Sequence, residues 1–477
     1  MKNLLILLTF ISFSLSAQTI KKFPGVDIII TDSSAPPPDS VPPCQTCPAG
    51  KDGRGIQTTT VDPVTGEVTF IYTDQTQSKT GPLKGENGTC PNCPPSGGGT
   101  AVAKTYDVTI YGARGDGNTD DTQAFQRAFN DAAAGSGKVI IPSPSNFYNI
   151  TNTISVRPPS GQGQVKVSVE AWGGPNRIRY TGASNKSVFY IVGIKNCIWT
   201  GFGIEIANGR SGVTAIDIDT ESATISSSTG TKFDTYRINL GDGENNNGFR
   251  IGHNRAAVGN DISNILWMNG AIYGGGKASQ TAYLNEGHNT LHLQWFETFT
   301  ANIGKHYSNS GPAGRGNGGV NFFGSGGSGV DIAYDINFEQ QYTIVGGTWE
   351  LGKVFLKVPN FAQVSPNILV ENVSIKNYSD SDGLIQVNVP ANLTLQNVYM
   401  MQTDRGAYSK PVVVNSSSGV GSLVMINCTM STNESMPYQK TGGSWRVTSF
   451  GNTRFNTSSG SVVTNKDFFP GEFDVPK

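Results

Sequence analysis

The 477-residue sequence has few charged side chains, an almost neutral balance of charge and only four histidines. Charged residues make up 15% of the chain, against roughly 25% in an ordinary globular domain. The net charge of −1 provides no bulk attraction to nucleic acid or to an anionic membrane. We therefore expect neither of these as a partner.

Beyond the N-terminus, no apolar run approaches the ~20 residues that span a bilayer, so we predict no membrane-spanning segment. Glycine, in contrast, is abundant, with 59 residues, and Asn, Ser and Thr are frequent. This composition favours short strands and tight turns over a helical enzyme. A single β-solenoid could use most of the chain, because solenoids grow by adding coils.

Residues 1–18 have the order of a signal peptide. Lys2 supplies the positive end, residues 4–15 form a mostly apolar run, and the small residues Ser16 and Ala17 follow. A buried N-terminal strand is the alternative, but the polar and Pro-rich residues downstream favour export. We predict a secreted or extracellular protein, or one displayed on the surface of a particle.

Three short segments separate the signal peptide from the main domain. Residues 19–50 form a Pro-rich linker, residues 51–93 a small hairpin module flanked by CxxC motifs, and residues 94–103 a Gly-rich linker. We assign residues 104–460 to the main domain. Residues 461–477 form a C-terminal tail.

The hairpin module contains two predicted strands, Thr58–Val61 and Glu67–Tyr72, with turn-forming residues between them. Residues 51–88 resemble the small Gly-flanked hairpin modules of phage tail fibres and other trimeric surface fibres. The resemblance implies a homotrimer. A flexible stalk with one hairpin is the alternative interpretation.

Four of the six cysteines form two CxxC motifs, Cys44 with Cys47 and Cys90 with Cys93. Because an exported protein meets an oxidising compartment, we predict disulfides among these four, between the two motifs or between chains. Zinc held by both motifs is the alternative, although 42 residues separate the motifs, more than a zinc ribbon has. The remaining two cysteines are predicted to be buried packing residues: Cys197 and Cys428.

The most informative string opens the main domain. A predicted strand at 107–111 precedes the sequence GARGDGNTDDT at 112–122, which leads into an amphipathic helix over Asp120–Ala133. Thr119 or Asn118 can cap this helix. Two further predicted strands contain KVII and YNI.

This succession, YGARGDGNTDDT, a helix, GKVIIP and YNI, resembles the N-terminal signature of the pectate-lyase-like superfamily, which includes polygalacturonases, rhamnogalacturonases and phage tailspikes. The resemblance implies an all-β fold, a right-handed parallel β-helix with an N-terminal capping α-helix, and a polysaccharide ligand. It is specific for fold rather than for reaction, since the GHG and RIK motifs of polygalacturonases are absent. Three acids are interpreted as structural residues of the cap: Asp116, Asp120 and Asp121.

Internal repeats also predict a solenoid. The segments ILVENVSI, LTLQNVYM and LVMINCTM place Asn372, Asn397 and Asn427 at intervals of 25 and 30 residues, and weaker copies surround Asn196 and Asn264. Side-chain amides both donate and accept, so asparagines stacked on successive coils can bond to one another. At one coil per repeat, the domain would have roughly a dozen coils.

One region collects the groups that a glycan-cleaving site requires. Residues 286–315 hold three of the four histidines, with acids, cations and a tryptophan, and these supply an acid, a base and a stacking ring. The candidate catalytic residues here are Glu297, His288 and His292, and the candidate substrate-binding residues are Trp295, Lys305, His306 and Arg315. The alternative is that they occupy solvent-facing positions of consecutive strands, because Phe-Glu recurs at 296–297 and 338–339.

A second group of acids, Asp331, Asp335, Glu339 and Glu350, follows in the sequence. Paired carboxylates perform acid–base hydrolysis at a suitable separation, so Asp335 and Glu339 join the catalytic candidates. Trp349 joins the candidates for substrate binding.

The order of linker, hairpin, CxxC motifs and β-helix favours a trimeric, tailspike-like protein that recognises a polysaccharide or cell-surface glycan and could depolymerise it. The signal peptide favours a second hypothesis, a secreted bacterial polysaccharide hydrolase or lyase. A non-catalytic adhesive or structural surface fibre is the third. We predict no cofactor and no metal. A zinc pair at His288 and His292 is disfavoured, because i,i+4 spacing aligns ligands on a helix and this segment is predicted to be strand.

Overall fold

The structure is a computed structural model, and the chain divides into two compact units, Met1–Gly98 and Gly99–Lys477. The structure describes residues 56–61, 68–79, 104–172, 177–222, 224–253, 261–287, 290–309, 319–337, 341–359, 365–379, 383–402, 411–415, 419–432, 438–442, 444–456 and 461–463. The four cysteines of the CxxC motifs lie outside these residues, as do the predicted signal peptide and both linkers.

The first unit contains an antiparallel sheet of three strands, numbered in chain order as all strands are: β1 (Ile56–Val61), β2 (Val68–Tyr72) and β3 (Gln77–Lys79). The sequence predicts the first two strands as a hairpin. The third strand is an addition, and Gln75, with a φ of 62°, makes the tight turn that leads into it.

The second unit winds into parallel coils, and each full coil places strands on three faces. Face 1 is a sheet of 13 strands: β4 (Thr105–Asp107), β5 (Lys138–Ile141), β8 (Ser168–Ala171), β11 (Ile198–Thr200), β15 (Lys232–Asp234), β19 (Leu266–Met268), β23 (Leu293–Phe296), β25 (Gly319–Phe323), β27 (Gln341–Val345), β30 (Asn367–Glu371), β33 (Asn392–Gln396), β36 (Val420–Ile426) and β39 (Ser444–Phe450).

Face 2 follows face 1 along each coil. Its strands are β6 (Tyr148–Ile150), β9 (Ile178–Tyr180), β12 (Gly203–Ile206), β16 (Arg237–Asn239), β20 (Ala271–Tyr273), the first half of β24 (Phe299–Asn309) and of β26 (Gly326–Asp335), β28 (Thr348–Glu350), β31 (Ser374–Lys376), β34 (Tyr399–Met401), β37 (Thr429–Ser431) and β40 (Thr453–Asn456). An antiparallel strand, β41 (Ser461–Val463), pairs with the last of these.

Face 3 completes the coil. Its strands are β7 (Ile154–Val156), β10 (Ser187–Val192), β13 (Thr214–Asp219), β17 (Asn247–Ile251), β21 (Thr281–Asn285), the second halves of β24 and β26, β29 (Val354–Val358), β32 (Ile385–Val387), β35 (Val412–Val414) and β38 (Tyr438–Lys440). Because β24 and β26 run through the corner, faces 2 and 3 form one 22-stranded sheet. A small sheet of β14 (Ser227–Thr229), β18 (Asp261–Ser263) and β22 (Thr290–Leu291) precedes face 1 on three coils.

Helix α1 (Thr122–Gly135) covers the first coil. Its apolar side is buried, with Phe129 packed 5.6 Å from Phe189 and 5.7 Å from Trp199 between ring centroids. Among the described residues, no helix is long and apolar enough to cross a membrane.

The N-cap of α1 is Asp121, so the prediction of Thr119 or Asn118 as the cap is wrong. The reason lies in the loop before the helix, where Asp116 accepts bonds from the backbone N–H groups of Asn118 and Thr119. These bonds hold residues 116–119 as a separate turn and lower the pKa of Asp116 to about 2.

The other two cap acids also bond within this region. Asp121 accepts from the N–H groups of Arg114 and Gly115, at 2.7 and 3.2 Å. Asp120 accepts from the hydroxyls of Thr122 and Thr151, at 2.6 and 2.7 Å. Their carboxylates thus tie the loop to the start of the helix and to the next coil.

The repeated asparagines lie at the corner between face 1 and face 2. Asn372, Asn397 and Asn427 all have φ near +50°, a left-handed conformation that Asn and Gly tolerate best. Nδ2 of Asn397 donates to Oδ1 of Asn372 at 3.0 Å, as predicted for stacked amides. Asn196 and Asn264 have the same conformation but precede face 1, so their interpretation as copies of this corner is wrong.

Inward-facing rings stack from coil to coil beneath face 1. Trp295 lies between Trp267 and Phe322, with ring centroids 4.5 Å away on both sides and planes within 20° of parallel. The interior of the solenoid is therefore a packed core, which leaves the outer surface as the place for a functional site. Cys197 and Cys428 are free thiols buried in this core, as predicted.

Candidate active site

Two aspartates occupy alternate positions of β13 on face 3. In the sequence Thr-Ala-Ile-Asp-Ile-Asp, Ile216 and Ile218 belong to the core, so Asp217 and Asp219 lie on the other side of the strand. Both aspartates are nevertheless fully buried. Burial of an ionised carboxylate costs several kcal/mol unless partners compensate for the lost water, so their partners define the site.

Arg250 compensates for Asp217. It lies on β17, in register with Asp217 on the next coil. Its Nη2 donates to Oδ2 of Asp217 at 2.5 Å and its Nε to Oδ1 at 3.2 Å. The hydroxyl of Ser187, on β10, donates to the same Oδ2 at 2.8 Å. Charge-assisted bonds of this kind are about twice as strong as neutral ones.

His253 joins the two carboxylates. Its Nδ1 lies 3.2 Å from Oδ1 of Asp217 and 2.9 Å from Oδ2 of Asp219. The other oxygen of Asp219 accepts from the N–H of Thr220 at 2.8 Å. The side chain of His253 is 34% exposed, so the imidazole forms the solvent side of this group. We call Asp217, Asp219, Arg250 and His253 the Asp–His–Arg centre.

Proton affinities in the centre follow from these contacts. Hydrogen bonds to Asp217 and Asp219 raise the pKa of His253 to about 9, against the effect of burial. Burial alone would raise the pKa of Asp217, but the bonds from His253 and Arg250 outweigh it and leave that pKa below its ordinary value. Perturbed groups of this kind cluster at functional sites.

The centre also has the composition of a metal site. Asp217, Asp219 and His253 each offer one donor atom, and these atoms lie within 4.8 Å of one another. Tyr190 lies on the coil before that of Asp217, and the centroid of its ring is 6.2 Å from that of the His253 imidazole. Burial, and then the nearby acids, raise the pKa of Tyr190, which therefore stays a neutral phenol.

A second ion pair lies further along the same wall. Asp217 and Asp335 occupy the same outward position on face 3, four coils apart. The residues in register at this position are, in order, Asp217, Arg250, Leu284, Ser308 and Asp335. Four strand spacings separate the two aspartates by about 19 Å. Asp335 is buried and contacts Nζ of Lys305 at 2.5 Å and the hydroxyl of Ser308 at 3.2 Å.

Three of the predicted substrate-binding side chains lie in the core. Each occupies a position of its strand that points into the core, and all three are 0% exposed: Trp295, His306 and Trp349. A glycan on the outer surface cannot reach them, so their prediction as substrate-binding residues is wrong. Of the predicted binding residues, Lys305 reaches the outer wall, where it pairs with Asp335.

The predicted catalytic residues that the structure describes are not brought together. Glu297 and His292 are exposed and lie at the two ends of β23 on face 1, whereas Asp335 lies on face 3. Both exposed residues have φ near +50° at corners where neighbouring coils have Asn or Gly. Three candidates lie outside the described residues: His288, Arg315 and Glu339.

The sequence interpretation missed the Asp–His–Arg centre. One signal was the string Asp-Ile-Asp at 217–219, which places two acids on one side of a strand otherwise made of core residues. Another was Arg-Ile-Gly-His at 250–253, which puts a cation and an imidazole at the end of the next face-3 strand. The two strings are far apart in sequence, and only the stacking of coils brings them together.

The fold and its polar side wall define this chain as a right-handed parallel β-helix protein. No protein-family model matches its sequence. A polygalacturonase of Persea americana is 29% identical over 116 residues, which cover 24% of this chain and 25% of that enzyme.

Two solved structures are similar to this chain at low identity. An exopolygalacturonase of Thermotoga maritima is 13% identical, with a TM-score of 0.37, over 63% of this chain and 92% of the enzyme. A tailspike of an Acinetobacter phage is 10% identical, with a TM-score of 0.43, over 78% of this chain and 66% of the tailspike.

Proposed function

We propose that this chain binds an extended polysaccharide along face 3 and cleaves it at the Asp–His–Arg centre. The observation that carries this proposal is the burial of Asp217 and Asp219 beside a partly exposed imidazole and guanidinium. Such an arrangement is costly for a structural wall and typical of a site that does chemistry.

Face 3 suits a chain-like ligand because equivalent outward positions recur on each coil at intervals of about 4.8 Å. Polar and aromatic groups line these positions from Tyr190, through the centre, to Lys305 and Asp335. Sugars are recognised by such mixtures of hydrogen-bonding groups and rings. The partial match to a polygalacturonase also supports a sugar polymer as the substrate.

Cleavage of a glycosidic bond requires a proton on the departing oxygen as its bond to carbon breaks. His253 is the most exposed side chain of the centre, at 34% against 25% for Arg250. Because Asp217 and Asp219 hold the Nδ1 edge of the ring, Nε2 is the nitrogen directed away from them. We assign proton transfer to His253, positioning of the ring to the aspartates, and a fixed positive charge to Arg250.

Incubation of the full-length chain with a panel of polysaccharides tests this assignment. Hydrolysis adds water across the bond and yields new reducing ends, whereas elimination also yields an unsaturated product that absorbs ultraviolet light. We expect His253→Gln to lower the rate by about 100-fold or more. Glu205→Gln is the control, because Glu205 is a carboxylate paired with Arg179 on face 2.

Absence of products from every polysaccharide would overturn cleavage, and absence of binding as well would overturn the glycan ligand. An unchanged rate in His253→Gln would refute the assigned site. Because the side chain is one-third exposed, this substitution avoids the folding defect expected on removal of a buried aspartate.

We further propose export or display on a particle surface, and assembly as a homotrimer. The N-terminal segment with signal-peptide order supports export, and the fibre-like hairpin module supports a trimer. Light scattering on the full-length chain should give three times the chain mass, and a stable monomer would exclude the trimer. The predicted pairing of Cys44, Cys47, Cys90 and Cys93 stays a prediction.

A further inference from the structure

We infer that Asp217, Asp219 and His253 bind a divalent first-row transition-metal ion. The donor atoms are Oδ1 of Asp217, Oδ2 of Asp219 and Nδ1 of His253. Two carboxylates balance the charge of a divalent ion. One imidazole nitrogen with two carboxylate oxygens suits ions such as Mn²⁺, Fe²⁺ or Zn²⁺ better than the all-oxygen sites that Ca²⁺ and Mg²⁺ prefer.

The spacing of these donors matches adjacent positions around one ion. Nδ1 of His253 lies 3.2 Å from the oxygen of Asp217 and 2.9 Å from that of Asp219. Two ligands that lie about 2.1 Å from a metal and at right angles to each other are about 3.0 Å apart. All three donor atoms lie within 4.8 Å of one another, close enough for one ion to contact them together.

The protein also holds the outer oxygens of both carboxylates. Oδ2 of Asp217 accepts from Arg250 at 2.5 Å and from Ser187 at 2.8 Å, and Oδ1 of Asp219 accepts from the N–H of Thr220 at 2.8 Å. Nε of Arg250 approaches the inner oxygen of Asp217 as well, at 3.2 Å. Outer contacts of this kind orient ligating carboxylates in metal sites.

Among the described residues, the other ion pairs lack this convergence. Glu205 pairs with Arg179, and Asp335 with Lys305, one carboxylate to one cation and with no imidazole. At the centre, two fully buried carboxylates point at one nitrogen, and the exposed side of His253 leaves a path for an ion and for its remaining ligands.

The role of the ion, though not its binding, rests on the proposed function. An ion on Nδ1 places the ring proton on Nε2, the nitrogen that the glycan would meet. The ion would thus fix the tautomer and the orientation of His253, and it would keep open coordination positions beside the polymer.

Titration of the metal-free, full-length chain with Mn²⁺ tests the site directly, with free Mn²⁺ followed by electron paramagnetic resonance. Mn²⁺ is chosen because it binds poorly to thiolates, so the CxxC motifs do not interfere. We expect one ion per chain. Asp219→Asn and His253→Gln should each weaken binding at least tenfold, while Glu205→Gln should bind as the unchanged chain does.

Absence of binding by the unchanged chain would overturn the inference, as would site variants that both bind Mn²⁺ as tightly as the unchanged chain does. Thermal melting without metal shows whether Asp219→Asn folds, and if it does not, the more exposed His253→Gln decides. No glycan is present in this measurement. A failure of polysaccharide cleavage therefore leaves a positive result intact, and a failure of metal binding leaves the cleavage assay to be judged separately.

Discussion

At the scale of single residues, His306 shows how the core changes a titrating group. It is completely buried, its ring lies 4.9 Å from that of Trp349, and its Nδ1 bonds to the hydroxyl of Thr300 at 2.7 Å. Burial lowers its pKa to about 3, whereas the unfolded chain returns it to about 6.5. The unfolded state therefore binds the proton first as the pH falls. The contribution of His306 to the free energy of unfolding should drop by about 1.4 kcal/mol per pH unit from pH ~6.5 down to its folded pKa of about 3.

His306→Gln removes this group, so we expect its urea midpoint to depend less steeply on pH between about 4 and 6. His292→Gln replaces an exposed imidazole and serves as the control. Its slope shows what the loss of an imidazole outside the core does by itself. Identical slopes in all three proteins would show that His306 is protonated in the folded state.

At the scale of the strand and its corner, Glu297 occupies a position that neighbouring coils fill with Asn269 and Gly324. Its φ of 51° is the left-handed conformation that glutamate rarely adopts. A strained residue of this kind costs on the order of 1 kcal/mol or more. We expect Glu297→Asn to raise the unfolding midpoint, measured by thermal or urea denaturation.

Glu297→Gln separates strain from charge, because it removes the carboxylate and keeps the unfavourable backbone. It should melt close to the unchanged chain. A rise equal to that of the asparagine variant would attribute the effect to charge. Retained polysaccharide cleavage in both variants would also remove Glu297 from the catalytic candidates.

At the scale of the whole molecule, α1 closes the end of a solenoid whose coils would otherwise expose their core. Phe129 fills this end against Phe189 and Trp199. We expect Phe129→Ala to cost about 3–5 kcal/mol, as for other buried aromatic residues, and to promote aggregation on heating. Gln123→Ala, on the exposed side of the helix, is the matched control, and equal melting of the two variants would contradict this role for α1.

Local patterns predicted much of the fold and little of the site. Turn and cap chemistry at 112–122 predicted the helix, and the spacing of Asn372 and Asn397 predicted the coil. It is harder to predict which side chains of a strand face the core, because a shift of one residue at a corner moves every side chain of the strand to the opposite side. The histidines and acids around Trp295 favour a place for it in a surface site, although its alternation with Gln294 on β23 indicates the inward side.

Local sequence is enough to predict a capped parallel solenoid, because corners, alternation and helix caps depend on residues close together in the chain. The position of its chemistry depends instead on contacts between coils. Asp217 and His253 are 36 residues apart, and they meet because one coil stacks on the next. Burial then strengthens the electrostatic interaction between them. Neither the stacking nor the burial can be predicted from the residues next to Asp217 or His253 in the sequence.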